Sequence, residues 1–85
     1  MFYVYVLYSS MSERYYVGIT NNLVRRLDEH NSEKVASTKP YLPWKIVHQE
    51  TFETRLEARN REKYLKSAAG RRWRKKNIWP RGATE

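Results

Sequence analysis

Residues 15–31, YYVGITNNLVRRLDEHN, hold two adjacent tyrosines, a glycine, two adjacent arginines and a histidine four residues after the second arginine. Phenol and imidazole exchange protons with a reacting group, and guanidinium pairs with phosphate oxygens through charge-assisted hydrogen bonds. A further phenol stands upstream at Tyr5, and a carboxylate downstream at Glu62. Together these groups could move a proton and hold an anion, or could merely coat a surface.

The elements that position them can be read from the residue pattern. FYVYVLYS (2–9) is β-branched and aromatic, and so is YYVGIT (15–20). The polar turn between them predicts a hairpin. Period two places Tyr3, Tyr5 and Leu7 on one face of the first strand, with Phe2, Val4, Val6 and Tyr8 on the other. Tyr16 and Gly18 share a face of the second strand, and Gly18 predicts an empty place beside Tyr16 where a ligand or another backbone can approach. Tyrosines also favour strands for packing alone, and that alternative holds for each phenol taken singly.

Asn21 and Asn22 offer capping chemistry for a helix over LVRRLDEHN. At 3.6 residues per turn, Arg26 and His30 lie on the side carrying Leu23 and Leu27. Arg25 faces solvent, with Glu29 as its partner four residues on. A guanidinium beside a core face is either paired or snorkels to water along an apolar stem. A histidine there is either functional or a helix-end residue bonded to a carbonyl. Residues 31–43 read as a loop and WKIVHQETF (44–52) as a third strand. Thr54 predicts the start of a helix running to about Ala69, with Gly70 as its stop. Glu62 sits at the edge of the Ala58, Leu65, Ala69 stripe, which leaves two roles: a salt bridge to a neighbouring arginine, or a metal ligand. RRWRKKNIW predicts a short last helix. The fold class is therefore α+β, a small three-stranded antiparallel sheet flanked by helices in the order β-β-α-β-α with a short C-terminal helix. It forms one domain over residues 1–79, with a tail over 80–85.

Seventeen Lys and Arg against nine Asp and Glu give a net charge of +8, which predicts a polyanion partner and points to nucleic acid. Arg71, Arg72, Arg74, Lys75 and Lys76 supply sequence-blind phosphate contacts. Trp73 and Trp79 either stack on unpaired bases or cap a small core. The chain has no cysteine, which fits a reducing, cytoplasmic setting, and no apolar run approaches the roughly 20 residues of a membrane span.

Tyr3-Val4-Tyr5, followed about ten residues on by Tyr16-Val17-Gly18, resembles the paired tripeptides of the GIY-YIG nuclease superfamily. Arg26, ten residues after Tyr16, matches that family's helix arginine, His30 matches a histidine found one turn later in several members, and Glu62 matches its metal-binding glutamate. The likeness covers residues 2 to about 67. It departs at Tyr3, where glycine is usual, and at Ile19, often lysine. A polar residue beyond the glutamate has only Asn77 as a loose counterpart. The small size resembles the stand-alone bacterial single-domain branch.

The resemblance implies a metal-dependent endonuclease acting on DNA ahead of RNA, without strong sequence specificity, with a link to repair or recombination. It further implies one Mg²⁺ or Mn²⁺ on Glu62, Arg26 on the phosphate, Tyr16 as general base, and Tyr5 and His30 orienting it or relaying the proton. A free phenol titrates near 10, so the surrounding cations must favour its ionised form for that role. Two other readings stay open: a non-catalytic nucleic-acid-binding module on the same fold, and a protein–protein adaptor, which would expose a large apolar patch.

Overall fold

A computed structural model describes residues 1–78. Three strands, β1 (Phe2–Ser9), β2 (Arg14–Thr20) and β3 (Lys45–Phe52), form one antiparallel sheet in the order β2-β1-β3. Helix α1 (Leu23–Asn31) follows β2. Helices α2 (Arg55–Lys66) and α3 (Ala68–Asn77) follow β3. The architecture is the α+β one expected, order β-β-α-β-α-α. Trp79 and the expected 80–85 tail lie outside the described residues.

The central strand explains why the sheet has two cores. β1 is buried from Val4 through Tyr8 and alternates its faces. Val4 and Val6 point to one layer with Val17, Ala58 and Leu65, roofed by α2 and by Ile78 after α3. Tyr5 and Leu7 point to the other with Tyr16, Leu23, Leu27 and Trp44, roofed by α1 and the segment after it. An aromatic central strand is thus sequestered on both sides, and the Tyr5 phenol of its second face is enclosed together with the inner side of α1.

The helix starts follow their sequence signals. Asn22 Oδ1 accepts from the Arg25 amide at 3.0 Å, and Thr54 forms a capping box with Glu57. The end of α2 differs from expectation. The helix stops at Lys66, Ala69 is exposed, and Gly70 lies inside α3 instead of ending α2. Ser67 makes the break. Its extended backbone interrupts the helix, its hydroxyl donates to the Tyr64 carbonyl, and the same oxygen accepts from the Gly70 amide at 3.1 Å, capping α3. Gly70 is there because the helices touch: a Cβ on it would meet Leu65 Cα at 2.5 Å.

β3 starts at Lys45, one residue after the expected Trp44. Trp44 instead joins the end of α1. Its amide donates to Asn31 Oδ1 at 2.7 Å, and its carbonyl accepts from Asn31 Nδ2 at 3.0 Å. The loop between α1 and β3 folds inward, contains a 3₁₀ turn over Lys39–Tyr41, and buries Thr38 completely.

Candidate active site

The α1 face of the sheet brings four of the five candidate residues into one contact set. Tyr5 on β1 and Gly18 on β2 are direct cross-strand partners. The place that Gly18 leaves empty is taken by the Tyr5 ring, not left open to a ligand. A Cβ on Gly18 would come within 2.5 Å of Tyr5 Cζ. The glycine therefore lets the Tyr5 phenol lie across β2 and reach α1.

There Tyr5 Oη accepts from Arg26 Nε at 3.3 Å and lies 3.0 Å from His30 Nε2. His30, completely buried, presents Nδ1 to Thr38 Oγ1 at 2.9 Å, and the Thr38 hydroxyl reaches the Val35 carbonyl at 3.3 Å. These contacts fix the direction of the chain. A carbonyl only accepts, so Thr38 donates to Val35 and accepts from His30 Nδ1–H. His30 Nε2 is then the acceptor, and Tyr5 donates to it. The chain runs Arg26, Tyr5, His30, Thr38, Val35. The indole of Trp44 donates to the Thr38 carbonyl at 2.9 Å and closes the wall behind it.

The electrostatics agree with this direction. Burial pushes the Tyr5 phenol up to about 12, against the pull of Arg26. Burial, followed by the charge of Arg26, pushes His30 down to about 4. Both are neutral at neutral pH. Arg26 is held further above its ordinary value, first by its hydrogen bond to Tyr5, with Glu29 and Tyr16 also contributing. The Tyr16 ring lies edge-on to His30 at 4.8 Å between centroids and 6.3 Å from Tyr5.

Glu29 pairs with Arg26 at 3.1 Å and not with Arg25, which reaches Asn21 instead. The Arg26 stem lies on the core side, and its head points between a phenol and a carboxylate three residues on, so Glu29 follows it. His30 bonds to a phenol and a hydroxyl, not to the carbonyl of the simpler alternative.

Glu62 comes from α2. Its side chain is only 14 % exposed and pairs with Lys66 at 3.1 Å, not with an arginine. Its charge acts on the Tyr5 phenol. Among the described residues no cluster of three or more His, Cys, Asp or Glu can enclose a metal. A single carboxylate that keeps a small exposed edge nevertheless fits a hard cation that keeps most of its waters and takes substrate phosphate oxygens as ligands.

On α3, Arg71, Arg72, Lys75 and Lys76 are exposed. Arg74 is partly withdrawn: its Nε donates to the Leu65 carbonyl at 3.1 Å, and burial lowers its pKa. Trp73 takes the core-capping alternative. It packs on the α2-side core with Arg61 stacked over it at 4.8 Å and the His48 ring at 5.3 Å. Asn77 bonds back to the Trp73 carbonyl of its own helix. The parts played by Thr38, Asn31 and Trp44 are not legible in the sequence. Thr38 sits in a loop without periodicity, and nothing in its local sequence marks it.

The GIY-YIG catalytic domain family model matches residues 1–77. A UPF0213 protein of Clostridium perfringens is 43 % identical over 67 residues, covering 78 % of this chain and 71 % of the relative. One from Natronomonas pharaonis is 41 % identical over 66 residues, covering 76 % of each. The solution NMR structure of a UPF0213 protein from Bacillus halodurans superposes with a TM-score of 0.56 at 27 % identity, covering 99 % of this chain and 94 % of that one.

Proposed function

This chain belongs to the GIY-YIG catalytic-domain family, and from that premise we propose that it is a divalent-metal-dependent endonuclease that hydrolyses DNA phosphodiesters without strong sequence specificity, in repair or recombination. The observation that carries the reading is the directed chain Arg26–Tyr5–His30–Thr38. It uses the proton of Tyr5 and the lone pair of His30 internally, with both groups neutral. Of the proton-exchanging side chains in this contact set, Tyr16 is the one left for an attacking water.

In this mechanism Tyr16 takes the proton of a water that attacks phosphorus. A new P–O bond forms, the bond to the 3′ oxygen breaks, that oxygen takes a proton from solvent water, and the products carry a 5′-phosphate and a 3′-hydroxyl. Arg26 holds the non-bridging oxygens. Its present partner does not prevent this. A one-third-exposed ion pair such as Arg26–Glu29 is worth about 0.2–1 kcal/mol, less than the roughly 1.5–3 kcal/mol of hydrogen bonds to a charged group. Tyr5 and His30 orient Arg26 and the Tyr16 ring. Glu62 is the metal ligand, its exposed Lys66 partner giving way for the same reason. A bound Mg²⁺ or Mn²⁺ supplies charge neutralisation for the departing oxygen. The exposed cations of α3 add sequence-blind affinity for the backbone.

The test is a cleavage assay on labelled single-stranded, duplex and flapped DNA, with and without Mg²⁺ or Mn²⁺. Glu62→Ala and Tyr16→Phe run beside the wild type, and each is expected to lose about 100-fold or more of the activity. Full cleavage by both variants sinks the mechanism. Tight binding without cleavage, unchanged in Glu62→Ala, supports the non-catalytic binding module instead.

A further inference from the structure

A cleft of about 420 Å³ opens beside Tyr16, between β2, the loop after α1, and α3. Arg14, Arg71 and Arg74 line it, with Tyr16, Tyr41 and Trp44 among its aromatic walls. Among the described residues no carboxylate lines it. A neighbouring recess of about 280 Å³ shares Arg71 and Arg74 and adds Lys75, continuing the cationic surface along α3. On its lining, the Arg14 guanidinium stacks over the Tyr41 ring at 4.4 Å. Tyr41 and Tyr16 are half-buried, whereas Trp44 is only 5 % exposed and serves as wall.

We propose that this cleft is a subsite for an unpaired nucleotide next to the scissile phosphate, so that the protein selects DNA with a single-stranded segment at the cut. The inference rests on the nuclease reading for its placement, since Tyr16 belongs both to the cleft wall and to the proposed catalytic set. Its chemistry stands on the cleft alone. A base held in a duplex offers only its edges to a protein, whereas a splayed base inserts its face between aromatic rings and arginine planes. The Arg14–Tyr41 pair gives such a plane, and Arg71 and Arg74, which also line the cleft, supply positive charge for the nucleotide's phosphates. The occupant is anionic, because three arginines line the cleft and no carboxylate is among its described lining residues.

The experiment measures binding of fluorescent single-stranded and duplex DNA of one sequence by the full chain in EDTA, where nothing is cut, over a series of salt concentrations. The double variant Arg14→Gln/Arg71→Gln is compared with Arg72→Gln/Lys76→Gln. The second pair removes the same two charges from exposed positions outside the cleft. The cleft pair is expected to weaken single-strand binding about fivefold or more beyond the control pair, and to flatten its salt slope by about 0.7 for each phosphate no longer neutralised. Duplex binding should fall equally in both pairs. Tyr41→Leu, which leaves the charge intact, should lower single-strand affinity selectively. Equal single-strand losses in the two charge pairs, or a duplex loss matching the single-strand loss in the cleft pair, overturns the subsite. Thermal melts of each variant verify folding. Because the measurement needs no cleavage, an inactive but strand-selective protein would refute the nuclease reading and leave the subsite standing.

Discussion

Two tyrosines 6.3 Å apart between ring centroids have opposite situations at this site. Tyr5 is 2 % exposed, bonded on both sides, and held neutral. Tyr16 faces the cleft. Tyr5→Phe therefore leaves a buried imidazole nitrogen without its donor, and we expect it to cost about 1–3 kcal/mol of stability in urea unfolding. Tyr16→Phe should leave stability within about 0.5 kcal/mol while reducing cleavage at least as much. Similar stability losses in the two variants would contradict the assigned roles.

His30 adds a pH dependence with a definite sign. Its folded pKa, about 4, lies below the ordinary 6.5, so the unfolded chain binds a proton in a range where the folded chain does not. Its contribution is complete above about 6.5 and is lost as pH falls through about 4, with a slope approaching about 1.36 kcal/mol per unit. The charged and titratable groups acting on it are Tyr5, Arg26 and Glu29. The difference in unfolding free energy between wild type and His30→Gln, followed from pH 7.5 to 4.5, should shrink. A constant difference would mean the imidazole is not held neutral.

At the scale of elements, the two helices after β3 are joined at Ser67, which closes one and opens the other. The crossing leaves no room at Gly70. Helix propensity favours alanine over glycine by about 1 kcal/mol. The Cβ, however, would sit 2.5 Å from Leu65 Cα, a backbone atom with no rotamer to yield. Overpacking of this kind costs about 1–3 kcal/mol, so the contact outweighs propensity. We expect Gly70→Ala to lower the melting temperature, and a rise would show that α3 does not sit against α2 in this way. Separation of α3 should also weaken DNA binding, since Arg74 ties its cations to the Leu65 carbonyl.

The whole molecule is a small body of strongly positive charge, +8 over 85 residues. Among the described residues the large exposed apolar side chains, Met1, Met11, Val24, Leu56 and Tyr64, are distributed over the N-terminal end, the β-hairpin turn and two helices. The charge, more than these groups, marks the kind of partner. Among the described residues no helix is long and apolar enough to cross a membrane. If three or four phosphates are neutralised, duplex affinity should fall along a log–log salt slope of about −3, roughly 60-fold between about 50 and 200 mM salt. A slope near zero would exclude the phosphate backbone as the main contact and favour a protein partner.

The sequence by itself determined what depends on neighbours along the chain. Period-two alternation in FYVYVLYS, the caps at Asn22 and Thr54, and the helical spacing that separates Arg26 from Arg25 follow from bonds and contacts within a few residues. Those were enough for the α+β architecture and for a short list of chemically able residues. Only the tertiary structure decided which partner each of them takes. Gly18 could be read as open space, but cross-strand register fills it with Tyr5. His30 is the buried helix-end residue the spacing suggests, but in place of a carbonyl a loop with no periodic pattern brings Thr38 to its Nδ1 and thereby sets its tautomer. Gly70 could be read as a stop, but it marks a helix contact with residues of α2. Trp73 had two readings, and the crossing of α2 and β3 assigns it to the core. Hydrogen-bond direction, burial and close approach depend on residues distant in sequence, and local propensity carries no information about where those residues arrive.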